Sequence, residues 1–114
     1  MFKDYSVTKN ETLNTEFRTC NYDNGQKFHD INFKDDKEHG EAYFWHKNGQ
    51  KMSEGNWKDG KEHGKQTHWY ENGQKFYEKN YKDGKLDGKY TTWYENGQKC
   101  LDRIYKDGEC ISGC

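Results

Sequence analysis

The sequence predicts an all-β protein: an open, single-sheet antiparallel meander of about eight strands, built from tandem 24-residue β-hairpin repeats. Three observations support this prediction. The tetrapeptide NGQK begins at positions 24, 48, 72 and 96. A second turn signal, Asp-Gly or Asp-Asp, lies between successive copies. Finally, the hydrophobic fraction is only 29% whereas 17% of the residues are aromatic, which is typical of a thin, aromatic-rich structure rather than a disordered chain or a thick globule.

Each repeat has the pattern of two short strands and two turns. Asn-Gly and Asp-Gly favour tight type I′ hairpin turns, in which both central residues have positive φ. The runs between them are rich in β-formers and of strand length, and no helical apolar stripe is present. We expect residues 1–20 to be an N-terminal cap or arm. Residues 21–114 then hold four repeats and a C-terminal cap, the repeats starting near Tyr22, His46, Tyr70 and Tyr94.

A two-residue turn at Asn72-Gly73 would set the register of the hairpin. It places Trp69 opposite Phe76, and the same rule pairs Trp45 with Met52 and Trp93 with Cys100. Because neighbouring residues of a strand point to opposite faces, Trp69 and Tyr70 are expected on different faces of the sheet. Both faces should therefore carry aromatic side chains. Trp69→Ala is expected to destabilise the fold, and Tyr70→Ala to weaken partner binding instead.

The charge pattern excludes several classes of function. The net charge is −1, with 19 basic and 20 acidic residues interspersed along the chain, so no basic surface for nucleic acid is expected. The chain has no long apolar run that would cross a membrane. No apolar signal region follows Met1, so a cytoplasmic location is expected.

Periodic histidines and carboxylates invite a metal or catalytic interpretation, which the spacing disfavours. His39 and His63 are one repeat apart, about 9.5 Å across two strands, which is too far for two ligands of one zinc ion. The acidic column has the same spacing, and we expect it to face Thr67 or Thr91 in a structural role; it consists of Asp30, Glu54, Glu78 and Asp102. We expect no enzyme activity, no catalytic residue, no metal and no cofactor.

The four cysteines are expected to be reduced thiols. Cys20 and Cys100 lie about seven strands apart in an open sheet, far beyond disulfide distance, so Cys20 should be free. Whether Cys100, Cys110 and Cys114 pair with one another is left open by the sequence.

The stretch Gly55–Gly64, GNWKDGKEHG, resembles a MORN repeat (membrane occupation and recognition nexus), whose pattern is Gly-x-Trp-x-x-Gly-x-x-His-Gly. The sequence WYENGQK, which starts at Trp69 and Trp93, is similar to the bacterial variant of this repeat. The resemblance covers residues 21–109. It departs from the family pattern at one glycine position, where Ala42, Gln66 and Tyr90 stand, and at the column of Gly55, where Ile31, Lys79 and Arg103 stand.

The resemblance implies a non-enzymatic protein that binds another protein, of unknown oligomeric state. Bacterial proteins of this kind are often assigned as antitoxins, so it implies an inhibitor that covers a toxin's active site. The alternative is a membrane-associated scaffold that binds anionic lipid. The tryptophan ladder is either the core or a platform for a sugar, base or peptide. The candidate partner-binding face comprises Tyr22, His46, Tyr70, Tyr94, His68 and Tyr77.

Overall fold

The computed structural model describes residues 2–12 and 14–114, and it confirms the all-β prediction. All strands form one open antiparallel sheet in chain order. The short strand β6 and the strand β7 both lie next to β5 and together fill one strand position of the sheet. The described part of the chain has no helix long and apolar enough to cross a membrane. The strands are β1 (Phe2–Asn10), β2 (Thr15–Tyr22), β3 (Lys27–Lys34), β4 (Lys37–Trp45), β5 (Lys51–Lys58), β6 (Lys61–Glu62), β7 (Gly64–Trp69), β8 (Lys75–Lys82), β9 (Lys85–Trp93), β10 (Lys99–Lys106) and β11 (Glu109–Ser112).

The Asp-Gly turns have the predicted geometry. Asp59 and Gly60 have φ values of 50° and 82°, and the flanking residues Lys58 and Lys61 pair directly, as a two-residue type I′ turn requires. The turns at Asp83-Gly84 and Asp107-Gly108 are equivalent, and Asp35-Asp36 also has positive φ at both residues, 52° and 64°, without a glycine. Asp tolerates this left-handed region better than most residues with a Cβ.

The Asn-Gly turns differ from the prediction. In the third repeat the Tyr70 N–H donates to the Gln74 carbonyl at 2.8 Å, and the Gly73 N–H donates to the Tyr70 carbonyl at 3.0 Å. Gly73 has φ 88°, whereas Asn72 is not among the residues with positive φ. The loop is therefore a three-residue turn that ends in a left-handed glycine, not a two-residue type I′ turn.

This longer loop makes the predicted pairs beside the turn wrong, whereas the pairs further along the strands are those that a two-residue turn would also give. Trp69 pairs with Lys75 and His68 with Tyr77, so Phe76 is the extra residue of a β-bulge and has no direct partner. Trp45 and Trp93 likewise pair with Lys51 and Lys99 rather than with Met52 and Cys100. The bulge places Phe76 and Tyr77 on the same side of the sheet, where both rings contact His68.

The sheet is a single layer without a conventional core. The Cα positions span 44 × 32 × 16 Å, and no described side chain is fully buried. The most buried side chains among the described residues are those of Cys20, Tyr22, Asp30, Ala42, Thr67 and Thr91. The stability must therefore come from contacts between neighbouring strands and repeats.

The cysteines agree with the prediction in part. Cys20 is a buried free thiol and Cys100 is an exposed free thiol, so the expectation that they do not pair is confirmed. Cys110 and Cys114 form a disulfide, with their Cα atoms 6.0 Å apart, so the expectation of reduced thiols is wrong for these two. Their four-residue separation at the last strand brings them within bonding distance.

Candidate functional site

The six predicted partner-binding residues lie on one face of the sheet, which we call the tyrosine face. His68 stacks on Tyr77 with ring centroids 5.2 Å apart, and Tyr70 stacks on Phe76 at 4.7 Å. In the first repeat Tyr22 packs edge-on against Phe28, which also contacts Phe44. Sequence reasoning missed Phe28 and Phe76, because the bulge that brings them here is not visible in a strict alternation of faces. It also missed Phe44, which occupies the strand position equivalent to His68 and pairs regularly with His29 and Ser53.

Three members of this face also join one repeat to the next. The Tyr22 and Tyr70 hydroxyls donate to the Trp45 and Trp93 carbonyls at 2.9 and 2.8 Å. His46 makes the equivalent contact through Nε2, at 2.9 Å from the Trp69 carbonyl. These side chains therefore stabilise the stack of hairpins as well as shaping the surface. Tyr70→Ala is for this reason expected to lower stability too.

The NGQK motif provides a second set of bonds between repeats. Asn72 Oδ1 accepts from the Gln74 N–H inside its own loop, while Asn72 Nδ2 donates to the Glu95 carbonyl of the next loop, both at 2.9 Å. Asn24 and Asn48 repeat this arrangement with Lys47 and Glu71. The asparagine is thus used for its side chain rather than for a positive φ.

Asn72→Ala should lower the free energy of unfolding by about 1–2 kcal/mol, since it removes two hydrogen bonds worth about 0.5–1.5 kcal/mol each. Asn96→Ala is the matched control. Asn96 keeps the local bond, in which its Oδ1 accepts from the Gln98 N–H at 2.9 Å. Among the described residues it has no bond to a following loop of the kind that Asn72 Nδ2 makes. Urea denaturation of both variants measures the difference. Equal losses would show that the bond to the next repeat contributes nothing.

The opposite surface, which we call the tryptophan face, carries a column of lysines that are paired within the chain. Lys27, Lys51 and Lys75 each lie 5.5–5.7 Å from a tryptophan ring centroid in the next repeat, over Trp45, Trp69 and Trp93 respectively. Each of these lysines also pairs with the carboxylate three residues later. Thr19 and Thr91 donate to Asp30 and Asp102 at 2.8 and 3.2 Å, so the acidic column has the structural role expected for it.

A cleft of about 250 Å³ lies on the tryptophan face between the second and third repeats. Trp69, Tyr43, Thr67, Glu54 and Lys75 are among the residues that line it. The Glu41 carboxylate accepts a hydrogen bond from the Tyr43 hydroxyl, which together with burial raises the pKa of Tyr43 to about 12. Within the described ranges, no group of three or more His, Cys, Asp or Glu residues is arranged to hold a metal ion.

Glu78 gives the tryptophan face a pH-dependent stability. Burial alone would raise its pKa, but the hydrogen bond and charge of Lys75 and the charge of Lys65 hold that pKa below the usual range. The unfolded chain then binds more protons, so stability is present above a pH of about 4.3 and is lost as the pH falls through the lowered pKa.

Glu78→Gln should therefore flatten the decline of the melting temperature between about pH 5 and pH 3. At pH 7 the variant should lose under about 1 kcal/mol of stability, because the ion pairs are partly exposed to solvent. Thermal melts at a series of pH values test this. An unchanged acid slope would contradict the ion pairs as its cause.

The tyrosine face carries four half-buried charges of a different kind. Glu38 and Glu62 lie in β4 and β6, and burial raises the pKa of both carboxyl groups, partly opposed at Glu62 by the charge of Lys79. Lys79 lies in β8, with Nζ 4.3 Å from the Tyr77 ring centroid and 5.2 Å from that of Tyr90. Arg103 lies in β10, and its Nη1 is 3.5 Å from the Tyr105 hydroxyl.

None of these four charges has an ion-pair partner within the described part of the chain. The Arg103 Nε is also buried without a hydrogen bond. Sequence reasoning had noted Lys79 and Arg103 only as departures from a repeat pattern. Two cations in a column that elsewhere holds Ile31 and Gly55 were the signal that could have identified them.

One known repeat family matches this sequence, and its matched units coincide with the hairpins described above. The MORN repeat variant matches residues 38–59, 62–83 and 86–107, more than half of the chain's 114 residues. The chain belongs to this family. Each matched MORN unit starts after one Asp-Gly or Asp-Asp turn, contains one Asn-Gly loop and ends in the next Asp-Gly turn. No curated protein matches the chain.

The MORN repeats indicate a repeat protein involved in binding, and an all-β MORN sheet is typically non-catalytic. The first hairpin, β2–β3, has the same Asn-Gly loop and tyrosine contact but lies outside the matched residues. The two faces of the MORN sheet differ in one physical respect. On the tryptophan face Lys27, Lys51 and Lys75 pair with neighbouring carboxylates, whereas on the tyrosine face aromatic rings lie beside four charges that have no ion-pair partner among the described residues.

Proposed function

We propose that this MORN-repeat chain binds a partner protein through its tyrosine face. Half-exposed rings beside unpaired, half-buried charges are the main support for this choice of face. Aromatic side chains offer large contact areas at low entropic cost, and charges that lack an internal partner select a complementary surface. The tryptophan face offers less, because its column of lysines, Lys27, Lys51 and Lys75, already pairs with neighbouring carboxylates.

We further propose that the partner is a toxin and that the chain is a bacterial antitoxin or immunity-type inhibitor. The resemblance of WYENGQK to the bacterial repeat variant supports this class. A sheet of 44 × 32 Å is wide enough to cover an active-site cleft without contributing any catalytic group. The inhibition would then be steric: the aromatic side chains exclude the substrate, and the charges orient the two proteins.

The partner should be encoded next to this chain, so the product of the adjacent reading frame is the molecule to test. Expression of that product alone should arrest growth, and co-expression of the chain should restore it. Titration calorimetry of the two purified proteins should show a saturable complex. Absence of toxicity and of binding would contradict the proposal, as would a chain that binds anionic vesicles but not this protein.

A matched pair of variants tests the face. Phe76 on the tyrosine face is 38% exposed, and Ile104 on the tryptophan face is 40% exposed. Phe76→Ser should weaken the complex about 30-fold, the effect of a typical hot-spot residue, whereas Ile104→Ser should change it less than about 3-fold. Thermal melts confirm that both variants are folded. A larger loss for Ile104→Ser would reverse the assignment of faces.

A further inference from the structure

We propose that the tyrosine face is also the interface of a homodimer, in which a second copy of this chain covers it face to face. This inference does not rest on the proposed function, since it concerns the protein without a partner. If both hold, the dimer hides the binding face until a partner displaces the second copy. The order of the charges across the sheet and the size of the face both favour a second copy as the occupant.

The four unpaired charges are ordered across the sheet by sign. Glu38 in β4 and Glu62 in β6 lie on one half, while Lys79 in β8 and Arg103 in β10 lie on the other. A face with a negative and a positive half is complementary to the same face of a second copy when a two-fold axis relates the two copies. Its carboxylates then meet the cations of the second copy.

A two-fold axis along the strands, between β7 and β8, produces this arrangement. Such an axis places β4 opposite β10 and β6 opposite β8 of the second copy, since the strands follow chain order. Glu38 then faces Arg103, and Glu62 faces Lys79. Each pair is offset by two residues along the strand, about 6.6 Å, a distance that lysine and arginine side chains can span.

The size and chemistry of the face fit an isologous contact. A stable interface buries about 800 Å² per partner, and a sheet of 44 × 32 Å provides more than this on one side. Sheets that pack face to face lie about 10 Å apart, so the rings of both copies would fill the space between them. Phe44, His68, Tyr77 and Tyr90 would then gain the second layer that the isolated sheet lacks.

Charge reversal separates an interchain pairing from an intrachain one. Glu62→Lys places two cations together in the homodimer, and Lys79→Glu places two carboxylates together, so each variant should dissociate at least about 10-fold more readily than the wild type. In a mixture of the two variants, one chain supplies cations at both positions and the other supplies carboxylates at both. Each contact between the chains then joins opposite charges, so the mixture should restore the dimer. Lys89→Glu on the tryptophan face is the control and should leave the dimer unchanged.

Sedimentation equilibrium of the purified chain measures these states. The wild type should have twice the 13.7 kDa mass of one chain. A monomeric wild type would overturn the proposal. A mixture of the two variants that stays monomeric would overturn it too, because the charges would then act only within a chain. Neither result bears on whether the tyrosine face binds the adjacent-gene product, which is measured separately.

Discussion

Tyr22→Ala should lower the free energy of unfolding by about 3–5 kcal/mol, the usual cost of truncating a packed aromatic side chain. Tyr22 is only 6% exposed, and its ring packs on Phe28 with centroids 5.1 Å apart. Its hydroxyl also donates to the Trp45 carbonyl of the next repeat at 2.9 Å. Loss of the side chain removes the ring packing and the bond between repeats together. For a chain without a thick core, this is a large share of the total stability.

Tyr94 is the matched control, because it occupies the same position of the last repeat and is 55% exposed. Tyr94→Ala should change stability by less than about 0.5 kcal/mol, as expected for an exposed substitution. Tyr22→Phe isolates the hydroxyl and should cost about 1 kcal/mol. Urea denaturation of the three variants tests the set. Equal losses at positions 22 and 94 would show that burial is not the cause.

Trp69→Ala should lower the free energy of unfolding by about 2–4 kcal/mol, somewhat less than for a fully buried ring. The indole is half-buried, lines the cleft of about 250 Å³ and lies beside the buried Thr67. Its removal would expose Thr67 and remove the ring under the Lys51 ammonium, whose Nζ is 5.7 Å from the ring centroid. Loss of packing is therefore the larger effect, and loss of the cation–π contact the smaller one.

Lys51→Met separates these two contributions. It keeps most of the aliphatic stem over Trp69 and removes the charge, and with it both the cation–π contact and the partly exposed ion pair to Glu54, so it should cost about 0.5–1 kcal/mol. Thermal and urea denaturation of both variants provide the comparison. A stable Trp69→Ala that loses partner binding would contradict a structural role for the tryptophan face and would move the binding site there.

The sequence predicted the architecture well because the repeat carries redundant local signals. Positive φ at Asp59 and Gly60 follows from residue chemistry alone, and so does the turn. The separation of Trp69 from Tyr70 follows from the alternation of a strand. The pair beside the loop did not follow, because a two-residue and a three-residue loop both accept Asn-Gly. The bulge at Phe76 absorbs the extra residue of the longer loop, so only the pair of Trp69 changes and His68 still lies opposite Tyr77.

The residues of the candidate face, too, could be predicted from the sequence only in part. Periodicity grouped Tyr22, His46, Tyr70 and Tyr94 correctly, since equivalent residues of identical hairpins must lie in one row. It could not show that Tyr22 is buried and Tyr94 exposed. That difference depends on whether a following hairpin lies against the side chain, which is a contact between units rather than a property of either unit.

The sequence by itself determined the strand class, the type I′ turns at Asp-Gly and the 24-residue stacking, because these depend on residues close together in the chain. Only the tertiary structure decided the bulge at Phe76, the Cys110–Cys114 bond and the contrast between paired and unpaired charges. The physical reason is distance along the chain. Asn72 and Glu95, or Tyr70 and Trp93, are 23 residues apart, and their contact exists only after neighbouring hairpins pair.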